Sequence, residues 1–162
     1  MSTQEYDFNS DQNQTAIAFT LTSAAWFAVA TTFGLIAATY LMAPDFMANI
    51  EYIHFGRMRP MHINAVLFGF VTPGLLAVAF YYLPRMLRTK LHSQKLGVWT
   101  AVLWNLTIAA GMVGISLGHT QGREYAELPW IVDMMVVVVF LMVIIFFAGT
   151  FLQVPGYLVA ED

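Results

Sequence analysis

Residues 134–160 read MMVVVVFLMVIIFFAGTFLQVPGYLVA, and these 27 residues contain no Asp, Glu, Lys, Arg or His. An α-helix rises about 1.5 Å per residue, so about 20 apolar residues cross the hydrocarbon core of a bilayer, which is roughly 30 Å thick. The stretch is therefore long enough to cross a membrane. Because lipid offers no partners for backbone N–H and C=O groups, it predicts a transmembrane helix, near 130–153, rather than a strand.

Three further charge-free stretches lie upstream of this one. They hold 33, 22 and 23 residues, at 12–44, 63–84 and 96–118. Each is long enough to cross a bilayer, so the sequence predicts an all-α integral membrane protein with four transmembrane helices. The predicted helices lie near 16–42, 61–84, 96–118 and 130–153.

Composition excludes several other classes of protein. Charged residues are only 10% of the 162 residues and hydrophobic residues 59%, whereas a soluble globular chain is about 25% charged. With 7 Lys and Arg residues and a net charge of −3, no basic surface for nucleic acid is expected. The sequence has no cysteine, which excludes disulfides, zinc–thiolate sites, iron–sulfur clusters and thiol nucleophiles.

Basic residues predict how the helices are oriented. Four of the seven, Arg85, Arg88, Lys90 and Lys95, follow the second predicted helix within a short loop. The positive-inside rule places this loop in the cytoplasm, and with four spans both termini are then cytoplasmic too. We expect a polar tail at 1–15, the transmembrane domain at 16–154 and a short polar tail at 155–162.

A histidine near the start of the second predicted helix is the first candidate for chemistry. Pro60 suits the first turn of a helix, which places His62 about one turn inside the span. An ionisable residue within a span is a functional candidate, and a neutral imidazole is a good haem ligand. Arg57 and Arg59 would pair with haem propionates. The alternative is an interfacial histidine beside two arginines that extend to the headgroups.

Two carboxylates between the third and fourth helices form the second candidate. Glu124 and Glu127 are three residues apart, so one helical turn would put both on one face. Such a pair would suit Ca²⁺ or a proton entry point, although spacing alone favours a plain solvated loop. His119 lies at the same end of the protein as His62. It would approach a haem edge or, more commonly for such a residue, bond to the backbone.

Two features of the spans predict packing rather than chemistry. Pro73 and Gly74 fall midway along the second helix, where the missing N–H of proline predicts a kink. Gly111 and Gly114 place small residues on the third helix, which favours close packing against another helix.

Two motifs resemble one family of proteins. Residues 55–70, FGRMRPMHINAVLFGF, are similar to FGRLRPLHTNAVIFAF in the catalytic subunit of C-family, or cbb-type, haem–copper cytochrome c oxidases. Residues 118–133, GHTQGREYAELPWIVD, are similar to that family's loop between helices three and four, close to GxTQGKEYAEPEWYVD. The resemblance covers about 40–160. Bacterial nitric oxide reductases share the first element and a related REYxE loop, so they are the second candidate family.

The resemblance implies roles for individual residues. His62 matches an axial ligand of the low-spin haem b, and Arg59 and Arg57 match residues near its propionates. Glu124 matches a glutamate associated with a Ca²⁺ that bridges propionates, and Glu127 matches a neighbour implicated in proton entry. The family reduces O₂ to water with electrons from cytochrome c and pumps protons.

The chain also departs from that family. The family's subunit has about twelve helices, and the second low-spin haem ligand, the high-spin haem ligand, the copper ligands and the cross-linked tyrosine belong to helices without a counterpart here. No catalytic residue is therefore expected in this chain. Ile63 replaces the usual threonine after the histidine. The family's GGN-like stretch is replaced by Thr72, Pro73 and Gly74, so the second helix is expected to bend differently.

The sequence leads to three hypotheses. The first is the N-terminal part of a split catalytic subunit in the bacterial inner membrane, completed by a second polypeptide and served by c-type cytochrome subunits. The polar end after a full fourth span, residues 160–162, leads us to expect a complete product. The second is the same arrangement in a nitric oxide reductase. The third is a non-catalytic structural or assembly subunit, or a homodimer in which two His62 rings hold one haem.

Overall fold

The computed structural model describes residues 13–47 and 49–154 of the chain. Within them, four helices are long and apolar enough to cross a membrane, which confirms the predicted all-α architecture. The terminal tails predicted at 1–15 and 155–162 fall almost entirely outside the described residues. The four helices are α1 (Gln14–Met42), α2 (Phe55–Met86), α3 (Gln94–Ser116) and α4 (Trp130–Phe151).

Helix α2 begins at Phe55, upstream of the start expected near residue 61. The His54 ring caps it by accepting a hydrogen bond from the backbone N–H of Gly56, at 3.1 Å. Pro60 is therefore inside the helix rather than in its first turn, which corrects the sequence-based expectation. The earlier start places His62 about two turns into α2 and puts the arginines on the helix as well.

The middle of α2 is π-helical, from Ala65 to Val71. The backbone N–H of Thr72 donates to the carbonyl of Leu67, five residues earlier. The next donor in that pattern would be Pro73, which has no N–H, so the carbonyl of Phe68 needs another partner. Trp104 supplies it from α3, with Nε1 2.7 Å from the Phe68 oxygen.

Hydrogen bonds between side chains also join α1 to α3 at this level. Trp26 Nε1 donates to Asn105 Oδ1 at 2.9 Å, and Asn105 Nδ2 donates to Thr22 Oγ1 at 2.8 Å. Ser23 joins α1 to α2, because its Oγ donates to the carbonyl of Phe70 at 2.9 Å. Since lipid tails are as apolar as the helices, such bonds and close contacts are what hold transmembrane helices together.

Gly111 and Gly114 pack against the loop before α4, and Gly111 also faces α4 itself, as the sequence predicted, since a Cβ atom there would lie 3.3 Å from Val132. A Cβ atom at Gly111 would lie 2.6 Å from Leu128, and one at Gly114 would lie 2.6 Å from Pro129. The two glycines therefore let the segment before α4 lie directly on α3. This contact fixes the position of Glu127, the residue before Leu128.

Candidate functional site

Helix α1 holds the His62 side chain by a hydrogen bond from the ring. His62 Nδ1 is 2.8 Å from the carbonyl oxygen of Ala30. A carbonyl can only accept, so Nδ1 is the nitrogen that carries the proton in this pair. In the neutral ring, Nε2 then keeps its lone pair, which is the arrangement that a metal-ligating histidine requires.

Gly34 gives the His62 ring its space against α1. A Cβ atom at Gly34 would lie 2.7 Å from His62 Cε1 and 2.8 Å from Nδ1, closer than real contacts allow. Sequence reasoning did not select Gly34 or Ala30. A glycine inside a helix costs about 1 kcal/mol relative to alanine, and that cost was a usable signal for Gly34. The carbonyl of Ala30 has no signal in the sequence.

Arg59 forms an ion pair with Glu124. Arg59 Nη2 is 2.9 Å from Glu124 Oε1, and the two side chains are 54% and 62% exposed. Arg59 precedes His62 by three residues, so both lie on one face of α2. An exposed pair of this kind contributes at most about 1 kcal/mol, so another anion can replace Glu124 at little cost.

Arg57 is placed differently from Arg59. Its Nη2 is 3.0 Å from Glu51 Oε1, its Nε lies 3.2 Å from His54 Nε2, and its Nη1 donates to the carbonyl of Ser116. Its position is five residues from His62, about 140° around the helix. Arg57 therefore joins the start of α2 to the end of α3, and the structure separates the two arginines that the sequence had grouped.

The carboxylates Glu124 and Glu127 also have different surroundings. Glu127 is only 9% exposed, and its Oε2 accepts a hydrogen bond from Asn64 Nδ2 at 2.9 Å. Asn64 Oδ1 is buried and has no partner among the described residues. Glu124 instead pairs with Arg59 at the surface. The segment between α3 and α4 is not helical, so the expectation that one helical turn aligns the two carboxylates is wrong.

Both carboxylates border one cavity of about 470 Å³, at the end of the bundle where α2 begins and the loop between α3 and α4 lies. Arg59 and Arg123 border it too, so charged groups of both signs face a single space. The remaining residues around it come from the start of α2 and from the loop after α3. These are Phe55, Gly56, Pro60, Thr120 and Gly122.

The residues fit a haem iron better than a calcium ion. His62 presents a nitrogen of the correct tautomer on a fixed ring. Among the described residues, no group of three His, Cys, Asp or Glu side chains comes together, and Glu124 is already paired with Arg59. Because Ca²⁺ takes six to eight oxygen ligands, the described part of this chain does not form a calcium site by itself.

His119, a further histidine at this end, does not join the site. His119 is exposed just after α3, where its backbone N–H donates to the carbonyl of Gly114 at 2.9 Å. Its ring forms no hydrogen bond within the described ranges 13–47 and 49–154. His119 therefore provides a control for experiments on His62.

Comparison with known proteins adds a family to this geometry. Residues 14–159 match the family described as "Cytochrome C and Quinol oxidase polypeptide I". Over 132 residues the chain is 33% identical to the cbb3-type cytochrome c oxidase subunit CcoN1 of Stutzerimonas stutzeri, covering 82% of this chain and 28% of that protein. It is 41% identical over 128 residues to a cytochrome c oxidase subunit 1 homolog of Agrobacterium tumefaciens, covering 78% and 23% respectively. The chain thus spans about a quarter of the length of these curated relatives.

Proposed function

The chain belongs to the family of polypeptide I of cytochrome c and quinol oxidases, and from that membership we propose that it is part of the catalytic subunit of a cbb-type terminal oxidase. In this proposal His62 provides one axial ligand of a low-spin haem b. The second axial ligand and the O₂-reducing centre come from a second polypeptide. Electrons arrive from c-type cytochrome subunits, in a bacterial inner membrane with both termini of this chain in the cytoplasm.

The observation that carries this proposal is the bond between His62 and Ala30. At 2.8 Å it leaves the proton on Nδ1 and the lone pair on Nε2, and Gly34 keeps the ring against α1. A haem b ligated there would supply one-electron transfer, and the chain's own contribution is to fix the ring's tautomer and orientation.

Arg59 is the residue that we propose for a haem propionate. It lies on the same face of α2 as His62, and its exposed partner Glu124 is easily replaced by another carboxylate. Arg57 was predicted to share this role. Its bonds to Glu51 and Ser116 support a structural role for it instead.

Glu127 is the residue that we propose for proton entry. It is a buried carboxylate that borders the cavity of about 470 Å³, and its only hydrogen-bond donor among the described side chains is the neutral amide of Asn64. A calcium role for Glu124 would need oxygen ligands from outside the described residues.

Substitution of His62 tests the proposal. A complex purified through an affinity tag on this chain is expected to lose its low-spin haem b band in the reduced-minus-oxidised spectrum with His62→Ala and to keep it with His119→Ala. A second polypeptide carrying the remaining length of the relatives is expected in the same complex. An unchanged haem b band in His62→Ala, or isolation of the chain beside an intact full-length subunit, would contradict the proposal.

The choice of O₂ as substrate rests on the names of the relatives. Those reported above are named as cytochrome c oxidase subunits, which favours an oxidase over the nitric oxide reductase that the sequence left open. Assays of the same complex with O₂ and with NO separate the two. Haem content without turnover of either gas would favour the third hypothesis, a non-catalytic subunit.

A further inference from the structure

We propose that Asn64 is a positioning residue for Glu127 and that its amide group bonds to the Glu127 side chain in both charge states. This inference rests on the proposed function, because it deepens the proton role proposed for Glu127. The ionised carboxylate accepts a hydrogen bond from Asn64 Nδ2, and the protonated carboxyl group also donates one to Asn64 Oδ1. Glu127 can therefore take up and release a proton without leaving its partner.

The orientation of the Asn64 amide follows from its two acceptors. Asn64 Nδ2 is 2.9 Å from the carbonyl oxygen of Pro60 and 2.9 Å from Glu127 Oε2. A carbonyl oxygen can only accept, so the nitrogen of the amide, and not its oxygen, faces Pro60. The two hydrogens of Nδ2 are then both used, and Oδ1 is the atom of this amide that can still accept.

The open acceptor of Asn64 is buried. Asn64 is only 1% exposed, and Oδ1 has no partner among the residues that the structure describes. A buried polar atom without a partner lowers stability, so a leucine of similar shape would serve packing better than asparagine does. Because Oδ1 belongs to the amide that already bonds to Glu127 Oε2, a proton on Glu127 has an acceptor beside it.

A primary amide and a carboxylic acid are complementary in their hydrogen bonds. Each presents one donor and one acceptor side by side, so two bonds can form between them, whereas an ionised carboxylate has acceptors only. The bond from Asn64 Nδ2 to Glu127 Oε2 is already present. A proton that arrives on Glu127 Oε1 from water in the cavity of about 470 Å³ adds the donor for Oδ1. The amide does not need to rotate, and the proton returns to water when Glu127 ionises.

Other residues hold the backbone next to Glu127. Leu128 is only 1% exposed, and its carbonyl accepts a hydrogen bond from Gln121 Nε2 at 2.8 Å. Its side chain fits against Gly111, where a Cβ atom would lie 2.6 Å from Leu128 Cδ2. The loop before α4 is therefore anchored without Asn64, so the contact that Asn64 makes concerns the carboxyl group of Glu127.

Charged groups near Glu127 are bonded to other partners or face the cavity. These groups are Arg59 on α2, Arg123 and Glu124 in the loop before α4, and Asp133 in the first turn of α4. Arg59 pairs with Glu124, and Asp133 accepts a hydrogen bond from Gln121. Within residues 13–47 and 49–154, Glu127 forms no ion pair, and its hydrogen-bonding partner is the neutral amide of Asn64.

Asn64 and His62 face different neighbours. They are two residues apart on α2, which places them about 200° apart around the helix. His62 bonds to the carbonyl of Ala30 on α1, whereas Asn64 reaches the loop before α4. Substitution of Asn64 is therefore expected to leave the contacts of His62 in place, so its effect on turnover can be measured at constant haem b content.

Turnover and infrared spectroscopy of the intact complex test the role of Asn64. Asn64→Leu keeps the approximate shape of the side chain and removes its hydrogen bonds. It is expected to retain the low-spin haem b band and to lower O₂ turnover per haem about tenfold. In the reduced-minus-oxidised infrared spectrum, the carboxyl C=O band that disappears in Glu127→Gln is expected to shift to higher frequency in Asn64→Leu. The reason is that hydrogen bonds to a carboxyl group lower this frequency.

Asn105→Leu is the matched control. It removes another amide from a transmembrane helix, one that joins α3 to Trp26 and Thr22 of α1. This substitution is expected to lower the stability of the complex while turnover per haem and the infrared band of Glu127 stay unchanged. It therefore separates a general loss of helix packing from a specific effect on Glu127.

Four results would overturn the inference. They are wild-type turnover in Asn64→Leu, an unshifted carboxyl band, loss of the haem b band in that variant, and an equal loss of turnover in Asn105→Leu. If Asn64→Leu is without effect while Glu127→Gln still slows O₂ turnover, the proton role of Glu127 stands and only the part assigned to Asn64 fails. If Glu127→Gln turns over O₂ like the wild type, the proton role and this inference fail together.

Discussion

Two regions of α2 use polar groups in opposite ways. At the π-helical centre, the carbonyls of Phe68 and Phe70 bond to Trp104 and Ser23, at 2.7 and 2.9 Å. At the end that carries His62, Asn64 Oδ1 is buried without a partner among the described residues. A satisfied polar group inside a membrane holds helices together, whereas one left open is available to a ligand, a proton or a partner. The centre therefore has a structural role, and the end that carries His62 is the one that we propose as the functional site.

Trp104 should produce the largest effect on stability at the centre. Trp104→Ala removes a fully buried indole and leaves the Phe68 carbonyl without a donor, so it should destabilise the protein by about 3–5 kcal/mol. SDS titration of the purified complex in detergent, followed by helicity, measures this. Trp99→Ala is the control, because that indole is 64% exposed on the same helix. Equal effects of the two substitutions would contradict a structural role for the centre.

Substitution of Gly34 tests the end that carries His62, because a larger side chain would crowd the His62 ring. Gly34→Ala places a methyl group 2.7 Å from that ring, so the ring must move at a cost of about 1–3 kcal/mol. Low-spin haem b should fall, with a shifted midpoint potential for what remains. In the double variant with His62→Ala the clash is absent, so the stability costs should not add. Additive costs would show that Gly34 acts independently of His62.

Substitution of Glu127 distinguishes a role in proton transfer from a role in packing at the end that carries His62. Glu127→Gln keeps the shape of the side chain and an oxygen that can accept from Asn64, so stability should change by no more than about 1 kcal/mol. O₂ turnover should still fall at least about tenfold if the carboxyl group carries protons, as is common for a proton-transfer residue. Stopped-flow oxidation of the reduced complex by O₂ measures the rate of this reaction. Wild-type turnover in Glu127→Gln would leave Glu127 with a packing role only.

The difference between the π-helical centre of α2 and the end that carries His62 also explains which features the sequence could predict. The four helices follow from charge-free lengths, because a bilayer imposes one length on every span. His62 follows from the rarity of an ionisable residue in a span. The π-helical segment does not follow, because its register depends on Trp104 and Ser23, which meet α2 only after the helices have packed. The kink predicted at Pro73 rested on the missing N–H of proline. The sequence did not show that Trp104 would donate to the carbonyl of Phe68 in its place.

Local rules also left two features of the site incomplete. Gly111 and Gly114 predicted contact with another helix, and Gly111 does face Val132 on α4, but the two glycines also accommodate Leu128 and Pro129 from the loop before it. The two carboxylates were aligned by assuming a helical turn, but Glu124 reaches Arg59 while Glu127 reaches Asn64. In both cases spacing along the chain identified residues that matter. It could not identify their partners, because those contacts join segments that are far apart in sequence.

Arg59 and Glu124 should give the smallest effect on stability and a specific effect on the haem. Glu124→Gln breaks an exposed ion pair, so the free energy of unfolding should fall by less than about 1 kcal/mol, and less still at high salt. If Arg59 holds a propionate, Arg59→Gln should shift the haem b midpoint potential downward, because a positive charge next to the haem is lost. Spectroelectrochemical titration measures that shift, with Arg123→Gln as the control from the same cavity. Equal shifts for both arginines would reduce the effect to the general charge of this end of the protein, and would leave Arg59 without a specific contact to the haem.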